Sequence, residues 1–353
     1  MSDYDYLNAR IRGMSTTLLT PEFYERILHA STAESLVDAL LASAYAADVQ
    51  RALAAHGGAV DPDAVESALC ENVRAAFTKI LGMAPPEPRR LIALQLNRWD
   101  VANVMALLRG KLCGAGPREL FAAVLPIGEL NETQLGELSA EADVASLADA
   151  LPTWKHAFAF ALRRAIRECS EQDDLAALEN ALYRGWFQWA LAQLTAEDPR
   201  HAPVRESLRR QIDLVNVLIS LELIRDREGS GAREGIEPIP GGKLPWGALS
   251  ELGACDTLVS GFEMLSSTYF GPGIERGILS YGQAQSLAVM ERFLESVVIA
   301  HGCRLFRLDM LSAAVPIGFL WRKYNELVNL RLLARGIRYR MPANAMREGM
   351  VLV

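Results

Sequence analysis

Apolar residues along this chain recur every three to four positions. The clearest case is Val101, Val104, Met105, Leu108 and Leu112, which form one stripe at 100° per residue. Leu214, Val217, Leu218 and Leu221 repeat it. Ala, Leu, Glu and Arg dominate, and strand-like alternation of Val, Ile and Thr is scarce, so the pattern predicts an all-α protein. Helix starts are expected at Thr20-Pro21, at Ser31 with Glu34 as its capping-box partner, and at Asp61-Pro62. Pro85-Pro86-Glu87-Pro88 precedes a long helix predicted from Arg89 to about Leu112. Asn103 falls opposite the apolar stripe, beside Ala102, Ala106, Leu107 and Gly110, which predicts a helix covered on both faces.

The polar positions within these stripes repeat. Asp100-x-x-Asn103 returns as Asp213-x-x-Asn216 and as Glu326-x-x-Asn329, 113 residues apart both times. Ser35-Leu36-Val37-Asp38 returns as Ser146-Leu147-Ala148-Asp149 at 111, and more faintly at Thr257-Leu258 after another 111. Glu66, Glu179 and Glu291 occupy matching helices, and Pro126–Leu130 matches Pro240–Leu244. Two blocks that share a period indicate three copies of one unit. The expected domains are 1–112, 113–228 and 229–353, jointed at the Gly- and Pro-rich stretches 110–117 and 228–245, the latter a flexible loop. Asp100 and Arg109 lie 180° apart on their helix, so each needs a partner elsewhere. We expect Asp100, Asp213 and Glu326 to anchor neighbouring helix ends, and the three asparagines to be satisfied core groups. Gly110 and Gly336 keep one spacing from their asparagines and predict close backbone approach; unit two has Leu223 there.

Charge and chemistry narrow the function. A formal charge of −7 argues against a general nucleic-acid binder. Five cysteines without C-x-x-C spacing read as buried free thiols in a reducing compartment. The polar N-terminus carries no secretory signal, and no apolar run is long enough to span a membrane. Gly241-Gly242-Lys243 is followed by Leu244, so it is no P-loop, and Gly229–Gly235 reads as a solvated loop and not a dinucleotide fingerprint. The five histidines are scattered, with no metal-ligand spacing. No cofactor or metal is expected. From Arg304 to Arg340, eight basic residues stand against Asp309 and Glu326, a polarised segment suited to an acidic partner or anionic headgroups.

These residues together resemble one family, the C subunits of the archaeal and bacterial vacuolar-type (V/A-type) ATPases, similar to the d subunit of the eukaryotic pump. The resemblance rests on Tyr4–Met14 with Asn8-Ala9-Arg10 and Arg12, and on Asp100-x-x-Asn103 leading to Leu108-Arg109-Gly110-Lys111. It rests further on Ile239–Leu244 and on Arg322–Arg331 with its Lys-x-x-Glu-x-x-Asn-Leu-Arg pattern. Unit two departs, with Glu222-Leu223 in place of Arg-Gly. The resemblance implies three similar helical domains in a pseudo-threefold, funnel-shaped body. It implies a peripheral protein on the cytoplasmic membrane face that couples the D and F shaft subunits to the proteolipid rotor ring, with no nucleotide and no catalysis. Arg10, Arg12, Asp100, Asn103, Arg109, Asp213, Asn216, Glu326, Asn329, Arg331 and Arg335 are the candidate structural or partner-contact residues. A soluble helical-repeat adaptor and an all-helical enzyme remain the alternatives.

Overall fold

A computed structural model describes residues 3–30, 32–57, 62–168, 175–229 and 237–353. Among them are eighteen α-helices, two short 3-10 turns and no strand. The element order runs three times along the chain. Short helices Pro21–Ala30, Ala33–Leu41 and Ala46–Ala55 lead to the long pair Pro62–Met83 and Pro86–Leu112. Glu132–Ala140, Val144–Ala150 and Ala157–Glu168 lead likewise to Leu175–Ala192 and Ala202–Glu228. Trp246–Gly253, Leu258–Ser266 and Gly271–Ala284 lead to Leu287–Leu305 and Ala314–Arg338. A helix precedes the first set at Asp5–Ser15, and short helices follow the first and third at Pro117–Ala123 and Ala343–Glu348.

Local sequence explains the boundaries. The second helix of each set opens on a capping box, Thr32 with Ser35, Asp143 with Ser146 and Thr257 with Ser260. Two boundaries differ from expectation. The box expected at Ser31 and Glu34 is built one residue later on Thr32, Ser31 itself lying outside the described residues. Thr257 is the cap, matching Thr32 and Asp143, so its pairing with Ser35 and Ser146 is three residues out of register. The hydroxyl of Ser or Thr serves equally at the cap and at the third position, which is why sequence similarity alone slips. The helix expected at Asp61-Pro62 begins at Pro62, with Asp61 outside the described residues, as are residues 230–236 of the predicted loop over 228–245.

By contacts the chain forms two compact units, residues 1–92 with 292–353, and residues 93–291. In the first unit the core helix Ala314–Arg338 packs on Pro62–Met83, Asp5–Ser15 and Ala33–Leu41. Trp321 lies buried over Gly302, where an added Cβ would stand 2.2 Å from the indole. In the second unit Ala157–Glu168 packs along Leu175–Ala192, and Ala202–Glu228 holds Trp246–Gly253 and Leu258–Ser266. The cysteines are not uniformly buried: Cys303 is, Cys70 and Cys255 are intermediate and Cys113 is exposed, all four free, while Cys169 lies outside the described residues. Burial pushes the Cys303 thiol up to about 12 and leaves it inert. No described helix is long and apolar enough to cross a membrane.

Gly318 marks a close approach of backbone to backbone, since a Cβ there would lie 2.1 Å from the backbone nitrogen of Phe306. Backbone cannot yield as a side chain does, so Gly318→Ala is expected to cost about 3 kcal/mol or more, read as a lower urea midpoint at unchanged slope. A midpoint equal to wild type would contradict the close packing.

Candidate functional site: three buried carboxylate joints

The repeated acids do one job in three places. Asp100, fully buried on Pro86–Leu112, accepts the backbone N–H of Glu129 at 2.8 Å and of Leu130 at 2.9 Å. Asp213 on Ala202–Glu228 accepts from Lys243 at 2.8 Å and from Leu244 at 3.1 Å. Glu326 on Ala314–Arg338 accepts from Leu19 at 2.6 Å. Leu130, Leu244 and Leu19 occupy matching positions in the segments that lead into Glu132–Ala140, Trp246–Gly253 and Pro21–Ala30. Each long helix therefore holds the start of the next set, and the third holds the start of the first.

The asparagines form the second half of each joint. Asn103 donates Nδ2 to the Leu125 carbonyl and accepts the Leu125 N–H, both at 2.7 Å. Asn216 makes the same two bonds to Ile239, at 2.9 and 2.7 Å. Asn329 makes them to Val351, at 3.0 and 3.2 Å. An amide is the shortest side chain that can satisfy a peptide group in both senses at once. The third joint thus takes one strand of contacts from the C-terminal tail and the other from the N-terminal lead-in.

Glycine or a longer acid makes room for the carboxylate. A Cβ on Gly128 would stand 2.0 Å from Asp100 Oδ1, and one on Gly242 would stand 2.0 Å from Asp213 Oδ1. In the third joint the matching residue is Thr17, and there the acid is Glu326, one methylene longer, bonding to Leu19. Sequence reasoning missed these glycines. It also missed two tyrosines: Tyr269 donates its hydroxyl to Asp213 at 2.7 Å, and Tyr45 donates to Glu326 at 2.5 Å. The 224-residue spacing of Tyr45 and Tyr269, close to twice the repeat of 111 to 113, was the available signal.

Charge around the joints differs. Glu326 is also paired with buried Lys323, which donates to the Tyr45 hydroxyl at 3.0 Å and lies 4.2 Å from its ring centre. Burial and the Glu326 charge push the Tyr45 hydroxyl well above the usual range. Asp100 is bonded by neutral donors, the two backbone N–H groups and Asn97 at 3.3 Å, and burial raises its carboxyl to about 7 against their opposing pull. Burial also raises Asp213, opposed first by the Tyr269 hydroxyl.

A second set of contacts follows the same order. Arg109 donates from Nε and Nη2 to the carboxylate of Glu179 of the next set, which raises its basicity. Arg331 is paired with Glu66 of the first set. In the middle set Glu222 stands where Arg109 does, and burial, then the charges of Glu179 and Glu291, raise its carboxyl. The close approach expected at Gly110 and Gly336 comes from side chains and not backbone: an added Cβ would meet Leu120 Cδ2 or Met346 Sδ at 2.2 Å. Asn103 is buried as its neighbours Val104 and Leu107 are, but Ala102 faces solvent, so one line of that helix stays uncovered. Arg10 is exposed near the Tyr6 ring, Arg12 lies 5.4 Å from the Phe306 ring centre, and Arg335 is exposed in the last turn of its helix.

The sequence profile of one known family, the ATP synthase (C/AC39) subunit, fits residues 7–349. The chain belongs to that family. Its relatives include the V-type ATP synthase C subunit of Deinococcus radiodurans, 27% identical over 98% of this chain and 90% of the relative. The A-type ATP synthase C subunit of Halorubrum lacusprofundi is also 27% identical, over 99% of this chain and 98% of its own. That of Methanosarcina barkeri is 26% identical over the full chain and 94% of the relative. The joints described above lie inside the matched span, apart from Val351.

Two outcomes test the joints. Gly128→Ala is expected to cost about 2–3 kcal/mol by pushing Asp100 off its donors, while Gly136→Ala, whose Cβ meets nothing nearer than 3.7 Å, is expected to be neutral or slightly stabilising. Equal midpoints for the two in urea would refute the cradle. The raised Asp100 carboxyl means that the folded chain keeps a proton which the unfolded chain, with an ordinary carboxyl, releases above about pH 4. The stability due to that proton is present below pH 4 and lost as pH rises through 7. The advantage of wild type over Asp100→Asn should therefore shrink from pH 4 to pH 8, by on the order of 4 kcal/mol; a gap constant with pH would count against it.

Proposed function

We propose that this chain is a non-catalytic central-stalk component of a V/A-type ATP synthase or ATPase, coupling the shaft to the proteolipid ring of the rotor. The observation that carries the reading is full-length similarity to chains named as the C subunits of V-type or A-type ATP synthases, at 90% or more of their own length. The three carboxylate joints support it physically. A part that transmits torque must not shear between its sections, and each section here is tied to the next by buried, directional bonds.

In this reading residues 1–112, 113–228 and 229–353 are three similar domains in pseudo-threefold order. Asp100, Asn103, Asp213, Asn216, Glu326 and Asn329 are the internal anchors, with Arg109 and Arg331 as outer ties. Arg10, Arg12 and Arg335 are left for contacts with other proteins of the complex. Those partners are the proteolipid ring and the D and F shaft subunits, at the cytoplasmic face, with this chain peripheral and holding no nucleotide. In this reading its work is mechanical, and the joint acids serve to bind backbone N–H groups.

Mass spectrometry of the intact membrane complex that contains this chain checks the proposal. Ring and shaft proteins are expected in the same particle, and Glu326→Lys, which places like charge beside Lys323, is expected to lower its yield severalfold. Recovery only in soluble assemblies without a ring would favour the adaptor reading and end this one.

A further inference from the structure

The basic run from Arg304 to Arg340 divides in the fold. Lys323 is buried against Glu326, Arg331 is half-buried and paired with Glu66, and Arg322 is half-buried with its guanidinium 4.9 Å from the Phe306 ring centre. The exposed remainder sits at the two ends of Ala314–Arg338: Arg304 and Arg307 before it, Arg335, Arg338 and Arg340 at and beyond its close. The first end carries an aliphatic tip. Leu308, Met310 and Leu311 are 69%, 63% and 62% exposed in the turn between Leu287–Leu305 and Ala314–Arg338.

This turn is held open by built contacts. Asn8, itself buried, donates to the carbonyls of Met310 at 2.9 Å and Ser312 at 3.0 Å. Asp309 accepts the Leu311 N–H at 3.0 Å, and the Ser312 hydroxyl accepts from Ala314 at 3.2 Å. Phe306 is buried at the base, under Arg12 and Arg322. The backbone is thus fixed in a form that points three apolar side chains into water, at a cost in solvation free energy. The turns at the matching place in the other two sets lack this character: one is Ala84-Pro85 and the other carries Glu197, Asp198 and Arg200.

We propose that the Phe306–Ser312 turn is a contact for an anionic lipid surface, Leu308, Met310 and Leu311 entering the headgroup layer while Arg304 and Arg307 bind its phosphates. Guanidinium groups at the base of an apolar tip match the layering of such a surface, phosphate outside and acyl chain beneath. A protein partner is less suited. A stable interface takes about 800 Å² from each side, whereas this is one convex turn of three apolar side chains, around which lipid can close. The net charge of −7 repels an anionic surface at long range, so the attraction is local and salt-sensitive. The inference goes beyond the coupling role and does not rest on it, because its test needs neither ring nor shaft.

The full chain is sedimented with vesicles of phosphatidylcholine, alone or mixed equally with phosphatidylglycerol, at low and high salt. Wild type should bind the anionic vesicles at least fivefold more than the neutral ones and lose that excess at high salt. Leu308→Ser/Met310→Ser and Arg304→Gln/Arg307→Gln should each lower binding about tenfold, with Leu279→Ser, 78% exposed on Gly271–Ala284, unchanged. These are exposed positions, and a melting curve for each variant confirms that it is folded. Absence of binding, equal binding to both vesicles, or binding unchanged by the Leu308 and Met310 substitutions would overturn the proposal. So would substitutions that leave vesicles untouched but cost recovery of a protein partner.

Discussion

A carboxylate buried among apolar side chains is tolerable only when donors surround it, and here the donors are peptide groups from elsewhere in the chain. Asp100 takes its N–H groups from about thirty residues further on, and Asp213 does the same. Neither side of such a bond can be satisfied alone. Without the acid, the lead-in has buried N–H groups with no acceptor; without the lead-in, the helix carries a naked charge. The apolar stripes decide that these helices pack, and the joints decide where along one another they stop.

Reach and room are balanced at each joint. In two of them a short acid bonds to a lead-in that has glycine beneath the carboxylate, and any side chain there would displace it. In the third the lead-in has Thr17, and the acid is longer. Electrostatics follow from the same geometry. Asp100 has only neutral donors among its bonds, and burial raises its proton affinity, whereas Glu326 has Lys323 within the same enclosure. The outer ties are less even, because the Arg109 position becomes Glu222 in the middle set and meets two further acids. The charges of Arg225 and Arg109 offset part of that repulsion.

Much of this was legible in the residues. An acid and an asparagine three residues on, Asp100/Asn103, Asp213/Asn216 and Glu326/Asn329, spaced twice by 113, located all three joints. Helical class followed from composition and periodicity, and the Pro85–Pro88 break placed one long helix, expected from Arg89 to about Leu112 and observed from Pro86 to Leu112. Capping registers did not, since Ser and Thr serve at either end of the box. The glycine contacts at Gly110 and Gly336 were visible as a spacing, but sequence does not say whether backbone or a Leu120 or Met346 side chain fills the space. Tyr45 and Tyr269 were hidden because the middle copy lacks their counterpart, so a pattern sought in threes passes over them.

The third joint bears the largest entropic burden. Its acid and its lead-in are 307 residues apart, against 30 in the first. For an otherwise unstructured chain that tenfold difference in loop length raises the closure cost by about 2 kcal/mol. The third joint is also the most heavily bonded. Lys323 and Tyr45 join Glu326, and Asn325 adds a second bond to the Val351 carbonyl at 2.7 Å; nearby, Arg331 ties its helix to Glu66 of Pro62–Met83, and Arg347 ties Ala343–Glu348 to Glu25 of Pro21–Ala30. Its contacts come from two segments far apart along the chain, at Leu19 and at Val351. The extra bonds stand where connectivity helps least, which is the distribution expected if all three joints must hold equally under load.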